Sequence, residues 1–298
     1  MRYVGIDVGG TAIKAGLLDE TGSLLESSKT PTPADSLDDL VETLLQCVEE
    51  VRSRTSISGI GIGIPGLRSA RTRTIETSPH IPCLAGVNLE DLIQQKTRMP
   101  VITENDANAG AYGEWACGAA RGLQHMAYIT LGTGLGCGLV MSGKMFRGAS
   151  GYAGELGHTV IEAGGRQCAC GSRGCLETRV SATGIVETAR ERGMPESLTA
   201  KSVHREATLG NQTARAVFEE TGRLLGIACS NLINLLNLQM IVVGGGVMAS
   251  GDLLLEPARQ EAAKRAFPPS ARDCPIVQSQ LWPDSGIVGA AMLARDSS

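Results

Sequence analysis

The stretch YVGIDVGGTAIKAGLLDE (Tyr3–Glu20) sets the architecture. Tyr3, Val4, Ile6 and Val8 form an apolar strand running into Gly9 and Gly10, and Ile13 to Leu18 reads as its return, so the segment is a hairpin with a glycine turn. In DVGGTAIK (Asp7–Lys14) the turn offers bare backbone N–H groups, the Thr11 hydroxyl and the Asp7 carboxylate. The first two are phosphate donors and the third is a candidate Mg2+ partner. A lone Gly-Gly pair makes a tight turn and nothing more. This one recurs, as AYITLGTGLGCGLVMSG (Ala127–Gly143): apolar strand, glycine turn with Thr133, apolar strand, then a polar turn. A repeat at domain-sized spacing marks a duplicated unit and implies two facing halves.

Between and after the hairpins the elements alternate in type. Ser36 can cap a helix whose Leu37, Leu40, Val41, Leu44, Leu45, Val48 and Val51 share one face. A strand over Ile57–Ile64, a helix over Leu89–Arg98, a short strand over Val101–Thr103 and a small-residue helix over Ala107–Ala116 follow. Further on come helices at Thr183–Arg192 and Ala214–Asn237, the latter with Val217, Leu224, Leu225, Ala228, Leu232, Leu235 and Leu236 on its buried side. A strand at Met240–Val243 runs into Gly244, Gly245 and Gly246. A helix at Leu253–Ala266, a strand at Ile276–Leu281 and a terminal helix capped by Asp284 or Ser285 complete the chain. This alternation predicts an α/β protein.

The most unusual stretch is ELGHTVIEAGGRQCACGSRGCLE (Glu155–Glu177), in which neither helical nor strand periodicity persists. His158, Cys168, Cys170 and Cys175 supply the three thiolates and one imidazole of a closed tetrahedral Zn2+ site, and the tight CxC turn lets the sulfurs face one point. A cluster of reduced core cysteines or a disulfide is the plainer reading of the same residues. Glu155 and Glu177 flank the ligands and would stand as fixed acceptors for a polyhydroxylated ligand.

Two other glycine patterns mislead. Gly61, Gly63 and Gly66 fit GxGxxG, but Pro65 lies inside and no apolar helix follows, so a dinucleotide site is not expected. Gly138 to Lys144 resembles a Walker A loop, yet Met145 stands where a hydroxyl must bind Mg2+.

Composition narrows the function class. With 298 residues, 42% hydrophobic and a net charge of −4, the chain is long enough for two domains of a soluble protein. No Lys/Arg stripe suits nucleic acid as the main partner. The most apolar segment, Leu224–Val243, contains Asn231, Asn234, Asn237 and Gln239 and fails as a membrane span. Nine cysteines, an odd number, and an opening apolar run broken by Asp7 and Lys14 point to a reducing cytoplasm without a signal peptide.

Taken in order, DVGGTAIK, ENDANAGAYGE (Glu104–Glu114), LGTGLGCGLV (Leu131–Val140), GELGH (Gly154–His158) and CACGSRGCLE (Cys168–Glu177) resemble the ROK group of sugar kinases and repressors, over nearly the whole chain. The resemblance implies a two-domain actin-like (ribonuclease H-like) ATPase fold with the active-site cleft between lobes. The expected boundaries are 1–118, joined by the terminal helix 285–298, and 119–284, which carries the zinc loop. It also implies that Asp7, Gly9, Gly10, Thr11 and Lys14 from one hairpin, Gly132, Thr133 and Gly134 from the other, and Gly244, Gly245 and Gly246 bind ATP. Gly66, Asn105, Asp106, Glu155, His158 and Glu177 would bind the sugar, with Asp106 as catalytic base and His158 tying zinc to substrate.

The expected activity is ATP:hexose 6-phosphotransfer, with Mg2+ beside ATP and a structural zinc, acting on glucose. An N-acetylhexosamine (N-acetylglucosamine or N-acetylmannosamine) or fructose is the alternative substrate. A sugar-sensing repressor is the reading from another class. Repressors of the group carry a helix-turn-helix before the kinase-like body, whereas Tyr3 already begins the first phosphate-binding strand, so no DNA reader is expected. A homodimer is usual for the group. One departure bears on sugar choice: in SPHIPCLAGVNL the group's Asn and Trp are replaced by His80 and Leu84.

Overall fold

The computed structural model describes residues 1–53 and 55–297. Contacts divide the chain into two compact units, one of residues 1–123, 138–154 and 284–297, the other of 124–137 and 155–283.

The first unit is built on β1 (Arg2–Val8), β2 (Ala12–Asp19), β3 (Leu24–Pro31), α1 (Leu37–Arg52), β4 (Gly59–Ile64), the short pair β5 (Leu67–Arg68) and β6 (Ile75–Thr77), α2 (Leu89–Thr97), β7 (Val101–Asn105) and α3 (Asp106–Ala116). Its sheet runs β3-β2-β1-β4-β7, the first three strands antiparallel and β1, β4 and β7 parallel. Val4, Ile6, Ile13, Ile60 and Ile62 of the sheet pack with Leu40, Leu44 and Val48 of α1 in one core. Burying each such side chain contributes roughly 1.5–3 kcal/mol. Ser36 caps α1 as its sequence predicts, its hydroxyl accepting from the Asp39 amide at 3.3 Å. The β3 strand has no counterpart in the sequence expectations, because most of its residues face solvent and its two leucines, Leu24 and Leu25, are adjacent and do not alternate with polar residues.

Continuing along the chain are β8 (Met126–Leu131), β9 (Leu135–Met141), β10 (Lys144–Met145), α4 (Glu177–Val180), α5 (Ala182–Glu191), α6 (Ala200–Thr208), α7 (Gln212–Leu236), β11 (Met240–Gly244), α8 (Asp252–Arg265), α9 (Pro268–Asp273), β12 (Ile276–Gln278) and α10 (Ser285–Ser297). The second sheet runs β10-β9-β8-β11-β12, with β8, β11 and β12 parallel. In the second unit α7 packs along α8, where a Cβ on Gly222 would lie 2.4 Å from the Leu254 carbonyl oxygen. In the first unit α10 lies on the β-sheet so closely that a Cβ on Gly61 would meet the Ala290 oxygen at 1.8 Å. Gly61 therefore serves helix packing.

Two sequence expectations need correction. Leu235 is 80% exposed although Leu232 and Ile233 beside it are buried, because it lies with Asn231 and Asn234 on the solvent side of the last turns of α7. The final strand stops at Gln278 and does not reach Leu281. The α6 helix, closed by a Thr199/Ser202 capping box, is a further addition to the expected elements. Among the described residues no helix is long and apolar enough to cross a membrane.

Candidate functional site

In the first unit the glycine turn is closed by the Gly9 amide, which donates to the Ala12 carbonyl at 3.0 Å. Thr32 braces it from β3's end, its amide donating to Thr11 O at 3.2 Å and its hydroxyl to Gly9 O at 2.6 Å. No motif marks Thr32, since its role depends on β3 lying beside β2. Asp7 stands opposite Lys14 in the ladder. Burial pushes the Asp7 carboxyl from 3.8 up to about 6; the carboxylates of Asp106 and Asp284 add to this and the Lys14 ammonium opposes it. Asp7, Lys14 and Asp106 are thus brought together, with Asp284 as a further neighbour.

The β7–α3 junction carries the residue expected to be the base. Asn105 is the N-cap, its side-chain oxygen accepting from the Asn108 amide at 3.1 Å, while its Nδ2 donates to the Gly66 carbonyl at 3.2 Å. Gly66 sits at φ +117°, and a Cβ there would lie 2.2 Å from Thr77 O, so only glycine fits. Asp106 occupies the first helical position, where its Oδ1 accepts from the Ala107 amide at 2.9 Å. The capping task that aspartate commonly performs has gone to Asn105. Asp106 is left at the positive end of the helix dipole, a favourable place for a carboxylate.

Of the two departures in the covering loop, Leu84 is fully buried in the first core and acts as a packing residue. His80 is exposed and lies against the first turn, its Cβ 3.0 Å from where a Gly10 side chain would begin.

In the second unit the Gly132–Gly134 turn closes on itself, the Gly132 amide donating to Gly134 O at 2.9 Å. It is tied to α5 by Ala182 N to Gly132 O at 2.8 Å and by the Thr183 hydroxyl to Thr133 O at 3.2 Å. A cavity of about 300 Å³ opens beside it, lined by Thr133, Ala182, Thr183, Val186, Glu187 and Arg190 among others. A second cavity, about 450 Å³ and lined by Arg192, Met194, Leu198 and Glu206 among others, contains none of the expected site residues. Gly244 ends β11 beside Tyr128. Gly245, at φ +87°, presents its carbonyl to the Trp282 indole N–H at 2.9 Å.

Leu135, next after that turn, donates its amide to Glu177 Oε2 at 2.7 Å. The GELGH segment turns tightly over Leu156–His158, and Gly157 permits an approach in which a Cβ would lie 2.6 Å from Leu135 O. This sets Glu155 near Glu177. Burial raises the Glu155 carboxyl above its ordinary value, the Glu177 charge adds to the rise and His158 opposes it.

His158 faces two ways. Its Nδ1 lies 3.7 Å from Cys168 Sγ and its Nε2 3.8 Å from Glu155 Oε2. Cys170 Sγ and Cys175 Sγ are 3.6 Å apart, and the ligand atoms of all four residues lie within 4.8 Å of one another. A tetrahedral zinc with Zn–S of about 2.3 Å has edges of about 3.8 Å, so the donor set and its spacing fit the ion. Between His158 and the cysteines, Arg166 fastens the loop: it donates to Thr178 O at 2.7 Å, Thr188 Oγ1 at 2.9 Å and Glu191 at 2.6 Å.

The chain matches the ROK family over residues 3–297 and belongs to it. The fold is the actin-like ATPase fold shared by its structural neighbours. It is 38% identical to a glucokinase of Halalkalibacterium halodurans, with 98% of this chain and 94% of that protein aligned. The crystal structure of a ROK family glucokinase from Streptomyces griseus in complex with glucose and AMPPNP superposes with a TM-score of 0.91 at 33% identity, covering 99% of this chain and all of that one. A xylose repressor of Bacillus subtilis is 29% identical over 98% of this chain and 77% of its own length.

Proposed function

We propose that this chain is an ATP-dependent glucose kinase, transferring the γ-phosphoryl group to the sugar 6-hydroxyl. The likeness to glucokinases, one of them bound to glucose and AMPPNP, supports the substrate pair. The observation that carries the catalytic assignment is the division of labour at the β7–α3 junction. Asn105 makes the side-chain cap to the Asn108 amide, and Asp106 follows at the first position of α3, where the helix dipole favours its carboxylate as the group that takes the proton.

In the proposed reaction Asp106 accepts the 6-hydroxyl proton as that oxygen bonds to the γ-phosphorus. The bond from phosphorus to the β–γ bridging oxygen breaks, and ADP leaves. Gly9, Gly10, Thr11 and Lys14, with Gly132, Thr133 and Gly134, hold the phosphates. Gly244, Gly245 and Gly246 lie toward the nucleoside, and Asp7 would hold the Mg2+ that accompanies ATP, which would supply charge neutralisation to the phosphates. Gly66, Asn105, Glu155, His158 and Glu177 bind the sugar.

The same reading makes His158, Cys168, Cys170 and Cys175 the ligands of a structural zinc, since four protein ligands leave no open position for substrate. It also takes the protein as a cytoplasmic homodimer with no nucleic-acid partner. His80 is where the covering loop departs, and it favours keeping N-acetylhexosamines and fructose as second substrates to test.

The decisive assay is ADP release from ATP and Mg2+ with glucose, mannose, fructose, N-acetylglucosamine and N-acetylmannosamine. Turnover on glucose that disappears in Asp106→Asn is the expected result. Silence on every sugar from folded, zinc-loaded protein would instead favour a binding or regulatory role.

A further inference from the structure

We infer that Glu104 and Arg147 form a positioning pair that holds the β7–α3 junction in its working geometry; this rests on the reading of Asp106 as base. Glu104 is the residue before the cap and is almost wholly buried. Its Oε1 accepts from the Asn105 amide at 3.0 Å and from Asn108 Nδ2 at 3.1 Å, so one oxygen grips the cap and the first turn of α3 together. Asp106 lies between those two residues in the chain. The other oxygen, Oε2, takes two bonds from Arg147, from Nε at 2.7 Å and from Nη2 at 2.7 Å.

Two neutral donors do not offset the cost of a buried carboxylate, and a guanidinium does so with fixed geometry. Arg147 is itself held. It follows β10 on a segment whose Phe146 amide donates to Leu139 O at 2.8 Å, whose Ala153 amide donates to Arg147 O at 3.1 Å, and whose Ser150 O accepts from the Ala70 amide at 3.0 Å. The segment 146–153, far from β7 in sequence, therefore delivers the cation that pairs with Glu104. Neither residue is required to touch sugar or phosphate; both act through Asn105 and Asn108.

The test compares Arg147→Met, Arg147→Lys, Glu104→Gln and the double variant Glu104→Gln/Arg147→Met. Arg147→Met leaves a buried charge unpaired. Its kcat is expected to fall on the order of 10- to 100-fold, the scale of a misplacement near 1 Å, with the KM for ATP changed less than about twofold. Arg147→Lys should recover part of the loss. The double variant should recover most of it, because the amide oxygen that replaces Oε1 still accepts from Asn105 and Asn108 while the charge is gone. Hydrogen exchange supplies a readout independent of turnover: the Asn105–Asn108 amides should exchange faster in Arg147→Met, with the rest of α3 unchanged. Should Arg147→Met fail to fold, the double variant against Glu104→Gln carries the comparison. A kcat within about threefold of wild type in folded Arg147→Met, or losses that simply multiply in the double variant, would overturn the pairing. Wild-type protein without sugar-dependent ADP release, but with the exchange signature intact, would refute the kinase reading and leave the pair standing.

Discussion

The two groups of residues assigned to the sugar are held by different means. At the β7–α3 junction, Asn105 and Asp106 sit where a core strand becomes a helix, and the cap, the ladder to β4 and the Gly66 carbonyl fix them. In the 155–177 segment the backbone between the Leu156–His158 turn and α4 forms no continuous strand or helix: it is joined by isolated bridges (Val160 with Cys175, Gln167 with Arg173) and by scattered turn bonds such as Gly174 N to Arg166 O at 2.8 Å and Leu176 N to Thr159 O at 2.9 Å. There, side chains add the ties: the gathered His158, Cys168, Cys170 and Cys175, the Leu135–Glu177 bond and the Arg166 clamp. Regular backbone positions a carboxylate with one buried ion pair, Glu104 with Arg147, behind it, whereas an irregular glycine-rich loop needs several side-chain ties to reach the same rigidity.

The contrast is most exposed at Asp106. Asp106→Asn should lower kcat by roughly 10²- to 10⁴-fold, the range general-base catalysis contributes, with the melting temperature nearly unchanged. Near-normal turnover would remove Asp106 from the mechanism.

Next comes the metal. Stripping zinc with a chelator should lower the melting temperature and speed hydrogen exchange across 155–177, while exchange in β1, β4 and β7 stays slow. Elemental analysis of the protein as purified should give one zinc per chain. A metal-free protein with an ordered loop and full activity would dissolve the contrast.

A third effect refines it, because the well-structured half bears a cost of its own. The fold raises the Asp7 carboxyl from 3.8 to about 6, so it favours the neutral form. The penalty of charging Asp7 is absent below pH 3.8, grows between the two values and is complete above about 6. Asp7→Asn should then stabilise the ligand-free protein at pH 7 by about 1–3 kcal/mol, with the gain fading toward pH 4, while turnover is lost. Denaturant melts at about pH 4 and pH 7 measure it; equal gains at both would place the cause elsewhere.

The smallest expected effect is at Arg166, whose carboxylate partner Glu191 is half exposed and screened. Arg166→Met should cost about 1–2 kcal/mol and hasten zinc loss to a chelator, with exchange unchanged in β1 and β4. Slowed zinc loss would contradict the clamp.

Much of both halves was legible from residues close in sequence. Apolar periodicity with the Ser36 cap marked α1, glycine pairs between apolar runs marked both hairpins, and His158, Cys168, Cys170 and Cys175 announced a ligand cluster by type and spacing. What escaped depended on neighbours remote in the chain. Thr32 braces the turn only because β3 lies beside β2. Leu235 fits the apolar stripe of α7, but the core covers only the Leu232 and Ile233 side of that turn.

The duplicated hairpins, the α/β alternation, the family and the identity of the chemical groups could all be read from the order of residues, because each is a local pattern of side-chain type and spacing. Three-dimensional packing was needed to establish that Asn105 and not Asp106 caps α3, that Asp284 faces Asp7, and that residues 138–154 return to the first unit. There a Cβ on Gly138 would lie 2.7 Å from the Ala107 oxygen, and Arg147 closes on Glu104. Those outcomes turn on close backbone approach and on pairing of buried charge between segments distant in the chain, and no local pattern encodes either.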